Sequence, residues 1–128
     1  MKPAYLDTSF LLAILFDEPR SGLLGRRLGR FDTVVSSPLL EAEVRSAFMR
    51  EGVSEIPPNV PFSGIHWVVP DRRLTPEIGA TLRRGYLRGA DLWHVACALF
   101  VFPEPKEAAF LTLDGVQRKV ADSLGFGT

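Results

Sequence analysis

Ala4-Tyr5-Leu6-Asp7-Thr8-Ser9-Phe10-Leu11-Leu12-Ala13-Ile14-Leu15-Phe16 is the stretch that sets the fold class. Its first three residues are apolar, suit a short strand and stop at a carboxylate. Thr8 and Ser9 stand where polar side chains cap a helix, and the apolar run from Phe10 to Phe16 continues as that helix. A strand that ends in an acid and passes straight into a helix begins a βαβ unit.

The pattern recurs downstream. Arg20 to Gly29 reads as a helix with Leu23, Leu24 and Leu28 at helical spacing, and Thr33 to Ser36 as a second strand. Ser37-Pro38 places a cap and a first-turn proline before a helix that runs through Arg50. Residues 51–64, with Pro57, Pro58 and Pro61, form a loop, and Ile65 to Val69 reads as a strand. Thr75-Pro76 opens a helix to about Leu87, which Gly89 breaks, and Ala90-Asp91 opens an apolar helix that ends near Phe102. Ala108 to Leu113 is a further strand, Asp114-Gly115 a turn, and Val116 to Leu124 a last helix. Apolar strands alternating with helices predict an α/β fold, a three-layer α/β/α sandwich around a short parallel sheet.

The 128 residues suit a single domain spanning 1–128, and 46% hydrophobic against 23% charged residues requires a packed core. Fifteen basic and fifteen acidic residues cancel, so any polyanion is held locally rather than by a global field. Twelve of the bases are arginine, whose planar fork suits phosphate, although genome composition produces the same bias. A lone cysteine, Cys97, forbids an internal disulfide and a cysteine-built zinc site, and suits a reducing compartment. The N-terminus lacks the pattern of an export signal, and the apolar runs fall short of the ~20 residues of a spanning helix. A cytoplasmic protein with no membrane partner is the expectation.

In a parallel sheet, ligands bind beyond the carboxyl ends of the strands, and the acids fall there. Asp7 ends the first strand, Asp114 the last, and Asp91 lies in the first turn of a helix. Each alone is also explained by capping or by a turn. Glu43 is not: on the wheel of its helix it points into the arc of Leu39, Leu40, Val44, Ala47 and Phe48. A carboxylate on the core face must be paired, protonated or metal-bound. Arg45, the nearest candidate partner in sequence, lies on the opposite face. Four converging acids would repel by several kcal/mol at close range, so a cation must join them. Oxygen donors without Cys or paired His select Mg²⁺ or Mn²⁺ over zinc.

Four segments match a family in order. Tyr5-Leu6-Asp7-Thr8-Ser9, Ser37 to Ala47 around Glu43, Arg88-Gly89-Ala90-Asp91-Leu92-Trp93-His94-Val95-Ala96-Cys97-Ala98, and Phe110-Leu111-Thr112-Leu113-Asp114 resemble the acidic motifs of PIN-domain ribonucleases, in particular VapC-type toxins. The resemblance implies an acidic pocket holding one or two Mg²⁺ or Mn²⁺ ions and metal-dependent RNA cleavage. Asp7, Glu43, Asp91 and Asp114 occupy the matching positions, with Thr8, Ser9 and Thr112 as hydroxyls that orient them. It also implies a small VapB-like antitoxin over a groove walled by Arg20–Gly29 and the Leu39 helix, and a toxin homodimer for which the apolar Phe10–Phe16 stretch offers surface. The family's domain usually closes with one more strand after the last helix; here the chain stops at Gly125-Phe126-Gly127-Thr128, leaving the sheet's edge in question.

Hydrolysis by a metal-activated water is the expected chemistry, in one-metal or two-metal form. Arg83, Arg84 and Arg88 would hold the RNA backbone, with Arg72 and Arg73 as a second patch, unless these faces are merely solvated. His94 reads as a hydrogen-bonded core or rim histidine, and Trp67 and Trp93 as core before base-stacking residues. The rival readings are a catalytically silent PIN-like module that binds RNA or protein, and a phosphatase with Asp7 as nucleophile. The latter lacks its second acid, because Ser9 stands two residues on.

Overall fold

Side-chain alternation along the first strand, β1 (Ala4–Leu6), divides the core in two: Tyr5 packs to one side of the sheet, Ala4 and Leu6 to the other. The structure is a computed structural model and describes residues 2–53 and 62–128. The 51–64 loop therefore lies outside the described residues over 54–61.

After β1 come α1 (Thr8–Leu15), α2 (Ser21–Leu28), β2 (Val34–Ser36), α3 (Leu39–Arg50), β3 (His66–Trp67), α4 (Thr75–Leu82), α5 (Gly89–Val101), β4 (Ala109–Leu111) and α6 (Gly115–Leu124). The sheet order is β3-β2-β1-β4 and every pairing is parallel. Tyr5 registers with Val35 on one side and Phe110 on the other. Tyr5 and Phe110 stack with ring centroids 5.4 Å apart, in a core with residues of α5 and α6. Ala4, Leu6, Ala109 and Leu111 meet α1, α2 and α3 on the opposite face. Helices thus cover both faces, the three-layer arrangement expected of apolar parallel strands. Each fully buried large side chain contributes ~1.5–3 kcal/mol, and Tyr5, Phe10 and Phe110 head that set.

This order reverses at β1, where the chain winds outward to β2 and β3 and then returns to place β4 on β1's other side. Such a switch point leaves a crevice beyond the strand ends. Asp7 and Thr112 follow directly on the two strands that flank it.

Several boundaries differ from the sequence reading. Asp7, not Thr8 or Ser9, is the N-cap of α1. β3 is confined to two residues of the apolar run 65–69. α4 ends at Leu82 rather than Leu87, and Gly85 beyond it lies against α6, where a Cβ would be 3.0 Å from Val120 Cγ2. Gly125, at φ 110°, ends α6 and lets Phe126 N–H reach Ala121 C=O at 3.1 Å. The chain then runs beside β4: Phe110 N–H donates to Gly127 C=O at 2.9 Å and Gly127 N–H to Ala108 C=O at 3.0 Å, a single parallel bridge where a fifth strand would lie. Phe10, Leu11 and Ala13 are buried in the core, and none of the exposed large apolar residues falls in Phe10–Phe16. Leu12, Ile14, Leu15 and Phe16 of that stretch remain partly exposed. Among the described residues no helix is long and apolar enough to cross a membrane.

Candidate active site

Asp7 leaves β1 with its N–H still donating to Leu111 C=O at 2.9 Å, so the ladder to β4 fixes its backbone. Its side chain is 4% exposed and is held by neutral donors. Oδ2 accepts from Ser9 N–H at 3.0 Å and Ser9 Oγ–H at 2.6 Å, and Oδ1 from Gln117 Nε2–H at 3.2 Å. Thr112 Oγ1 stands 3.2 Å from Oδ2 and 2.6 Å from Gln117 Oε1, and it has one proton to give. The shorter contact takes it, which aligns Gln117 so that its amide N–H groups face Asp7 Oδ1 and, at 3.2 Å, the Asp91 backbone C=O. Thr112 Oγ1 in turn accepts from Asp114 N–H, and Ser9 Oγ from Leu113 N–H, both at 3.0 Å.

Gln117 is fully buried and links three of the four acidic segments, yet it was not among the candidate residues. The signal was available: Gln117 precedes Val120 and Ala121 by three and four residues, so it shares their inward face, the same argument that marks Glu43.

Glu43 reaches the site from α3. Its Oε1 accepts from Thr8 Oγ1–H at 2.7 Å and lies 2.8 Å from His94 Nε2. His94, 1% exposed, places Nδ1 2.8 Å from the buried Tyr5 hydroxyl. A carboxylate only accepts, so Nε2 carries the proton and Nδ1 accepts from Tyr5, an assignment made from the bonding pattern. Burial pushes the Glu43 carboxyl up, but the bonds from His94 and Thr8 outweigh it and hold it below its ordinary value. Arg45 pairs instead with Glu41 at 2.8 Å, so the core-facing acid is matched by an imidazole rather than by a neighbouring arginine.

Asp114 caps α6, Oδ1 accepting from Gln117 N–H at 2.9 Å. Asp91 caps nothing: Arg88 is the N-cap of α5, and no group among the described residues hydrogen-bonds or pairs with the Asp91 carboxyl. Burial raises its pKa first, followed by the negative charges of Asp7, Asp114 and Glu43, with His94 opposing. The four acids therefore act on one another electrostatically, and among the described residues no Lys or Arg is ion-paired with any of them.

Arg83, Arg84 and Arg88 are exposed and without ion-pair partners among the described residues. Arg88 borders a recess of about 290 Å³ formed with Gly89, Ala90 and Asp91. Arg72 is spent on Glu77, at 2.6 Å, and on the Phe100 ring. Trp93 donates to Ser37 Oγ at 3.1 Å, while Trp67 lies against Phe62. A cleft of about 370 Å³ runs between α1 and α3, lined by Thr8, Leu12, Glu43, Ser46 and Arg50 among others; α2, expected as a groove wall, lines none of it.

The PIN domain family matches residues 4–123. The chain belongs to the PIN domain family. PIN domains are generally nucleases and typically use divalent metals. No curated protein and no solved structure matches the chain.

Among the described residues no three His, Cys, Asp or Glu side chains form a ready-made metal cluster. A hard ion that keeps several of its waters needs only a few protein oxygens. The PIN site offers the oxygens for one: the hydrogen bonds above leave Glu43 Oε2, Asp114 Oδ2 and both Asp91 oxygens uncommitted. The donor set fits magnesium or manganese.

Proposed function

We propose that this PIN domain is a divalent-metal-dependent endoribonuclease that hydrolyses RNA phosphodiester bonds with Asp7, Glu43, Asp91 and Asp114, using Mg²⁺ or Mn²⁺. The observation that supports it is the half-buried Asp91 carboxyl, raised by burial and by three neighbouring acids, with only His94 opposing and no Lys or Arg among the described residues paired with it. An ion bound there would supply Lewis acidity and an activated water. The chain's own part is orientation. Ser9 and Gln117 fix Asp7, Thr8 and His94 fix one oxygen of Glu43, and Asp114 is held by the first turn of α6. Arg83, Arg84 and Arg88 supply the cations that keep an RNA backbone beside this negative pocket. Within this reading, motif order like that of VapC-type toxins supports a toxin restrained by a small VapB-like antitoxin. The α1–α3 cleft, with Glu43 in its wall, would receive the antitoxin segment, and a homodimer is the expected assembly.

The test is incubation of the purified chain with structured and single-stranded RNAs in Mg²⁺, Mn²⁺ or EDTA, beside folded Asp7→Asn and Glu43→Gln variants. Cleavage that needs metal and is lost in both variants is the expected result. RNA binding without cleavage in any metal would refute the enzyme and favour the silent-module reading, which draws on the missing ready-made cluster.

A further inference from the structure

The segment joining α4 to α5 alternates in burial. Arg84, Tyr86 and Arg88 are exposed, whereas Gly85 is half-buried against Val120 and Leu87 is 5% exposed in the core beside Tyr5 and Val95. Two inward anchors thus hold the segment to the body of the protein and force the residues between and beside them outward. Tyr86 is 76% exposed, the most exposed large apolar or aromatic side chain among the described residues, and its ring and hydroxyl touch no partner there. The backbone of Tyr86 is anchored on both sides while its ring is left open to a partner.

Its surroundings say what would cover it. Arg83, Arg84 and Arg88 have no ion-pair partners among the described residues, although Arg45 and Arg72 both do. Arg88 lies three residues before Asp91, and the Gly85–Val120 contact seats the segment on α6, the helix that Asp114 caps. An aromatic face between unpaired arginines, next to an acidic pocket, matches the chemistry of single-stranded nucleic acid, in which bases present π-faces and a continuous negative backbone. We propose that Tyr86 is a stacking platform for an unpaired RNA base next to the bond that is cut, with Arg84 and Arg88 on the flanking phosphates. This rests on the ribonuclease reading of the acidic site and names a determinant of its substrate: RNA unpaired at that position.

The test uses the full chain in EDTA with single-stranded RNA decamers that carry 2-aminopurine, whose fluorescence is quenched on stacking. Tyr86→Ala should weaken binding about 5- to 150-fold, the equivalent of one base stacked on an aromatic ring, and abolish the quench, with the salt dependence unchanged. Tyr86→Phe should bind within about twofold of the wild type. Arg84→Ala should instead lower the slope of log affinity against log salt by about 0.7. Wild-type binding that Tyr86→Ala leaves within twofold overturns the platform alone and assigns the patch to another partner, such as a protein. Failure of the wild type to bind or, with metal, to cut any RNA overturns both this proposal and the ribonuclease reading.

Discussion

Replacing Gln117 by leucine tests whether this one buried amide organises the acidic site. The substitution keeps the volume and apolar stem but removes the acceptor of the Thr112 hydroxyl and the donors to Asp7 Oδ1 and the Asp91 carbonyl. Two losses are absorbed. Thr112 can turn its proton to Asp7 Oδ2 at 3.2 Å, and the Asp91 carbonyl keeps its place in the α5 ladder. Asp7 Oδ1 has no substitute donor, since the other groups on this carboxylate meet Oδ2. A lost hydrogen bond to a buried carboxylate costs about 1.5–3 kcal/mol, part of which the added apolar surface offsets. A net loss of about 2 kcal/mol is expected, or a fall in Tm of roughly 6–10 °C for a chain of this size. Urea unfolding gives the first number and a thermal melt the second. Because Gln117 positions Asp7 rather than touching substrate, RNA cleavage should lose kcat with KM little changed. A Gln117→Leu chain within 0.5 kcal/mol of wild type and equally active would refute the assigned network.

Asp91→Asn should raise thermal stability in EDTA while removing metal-dependent cleavage. The carboxyl is raised by burial and by Asp7, Asp114 and Glu43, so its folded value lies above its unfolded one. Its contribution is full below the unfolded pKa and is lost as pH rises through the folded pKa, and the variant's melting temperature should therefore gain on the wild type's as pH climbs from 4 to 7. An unchanged difference across that range would count against the clustering of the acids. His94→Phe should remove the acceptor of the buried Tyr5 hydroxyl proton while Ser36 and Ser37 stay within its reach, and cost about 0.5–1.5 kcal/mol beyond its packing change, and adding Tyr5→Phe should recover most of that. A urea-based double-mutant cycle that comes out additive within about 0.3 kcal/mol would show that Tyr5 and His94 are not coupled.

What the sequence made legible was local and periodic. Short apolar strands announced a sheet buried on both faces, and the order of strands and helices announced the layers. Asp7 and Asp114 were visible because an acid in the turn between an apolar strand and a helix has only the sheet's rim to occupy, although β4 ends at Leu111, three residues before Asp114. Glu43 was visible because it broke the polarity of a helix face. The partner of Glu43 was not: His94 lies 51 residues away, and a helical wheel reports which face a residue occupies, not what lies opposite. The early end of α4 had a local signal in Gly85, a poor helix residue, but its contact with Val120, 35 residues away, did not show in the sequence. Gln117 was missed although it passes the polarity test, because the test was applied to charges and not to amides.

The way these acids are held bears on what they can accept. Asp7 and Glu43 are fixed by hydroxyls, an amide, a backbone N–H and an imidazole, groups that set orientation and bring no guanidinium or ammonium charge. A site fixed by arginines would be oriented equally well but would already be neutral, and a divalent ion would have to displace a bonded guanidinium to enter. Here no arginine is paired with the four acids among the described residues: Arg45 and Arg72 are tied to glutamates, Arg118 donates to the Phe110 and Thr112 carbonyls, and Arg83, Arg84 and Arg88 remain at the surface. The pocket consequently keeps its negative charge for a cation from solution, while the unpaired positive charge sits outside it, where a phosphate backbone must pass. Separating the two signs over so short a distance costs stability in the empty protein, and the raised pKa of Asp91 is where that cost is visible. An ion that binds the folded chain and not the unfolded one repays it, so Mg²⁺ or Mn²⁺ should stabilise the wild type more than Asp91→Asn.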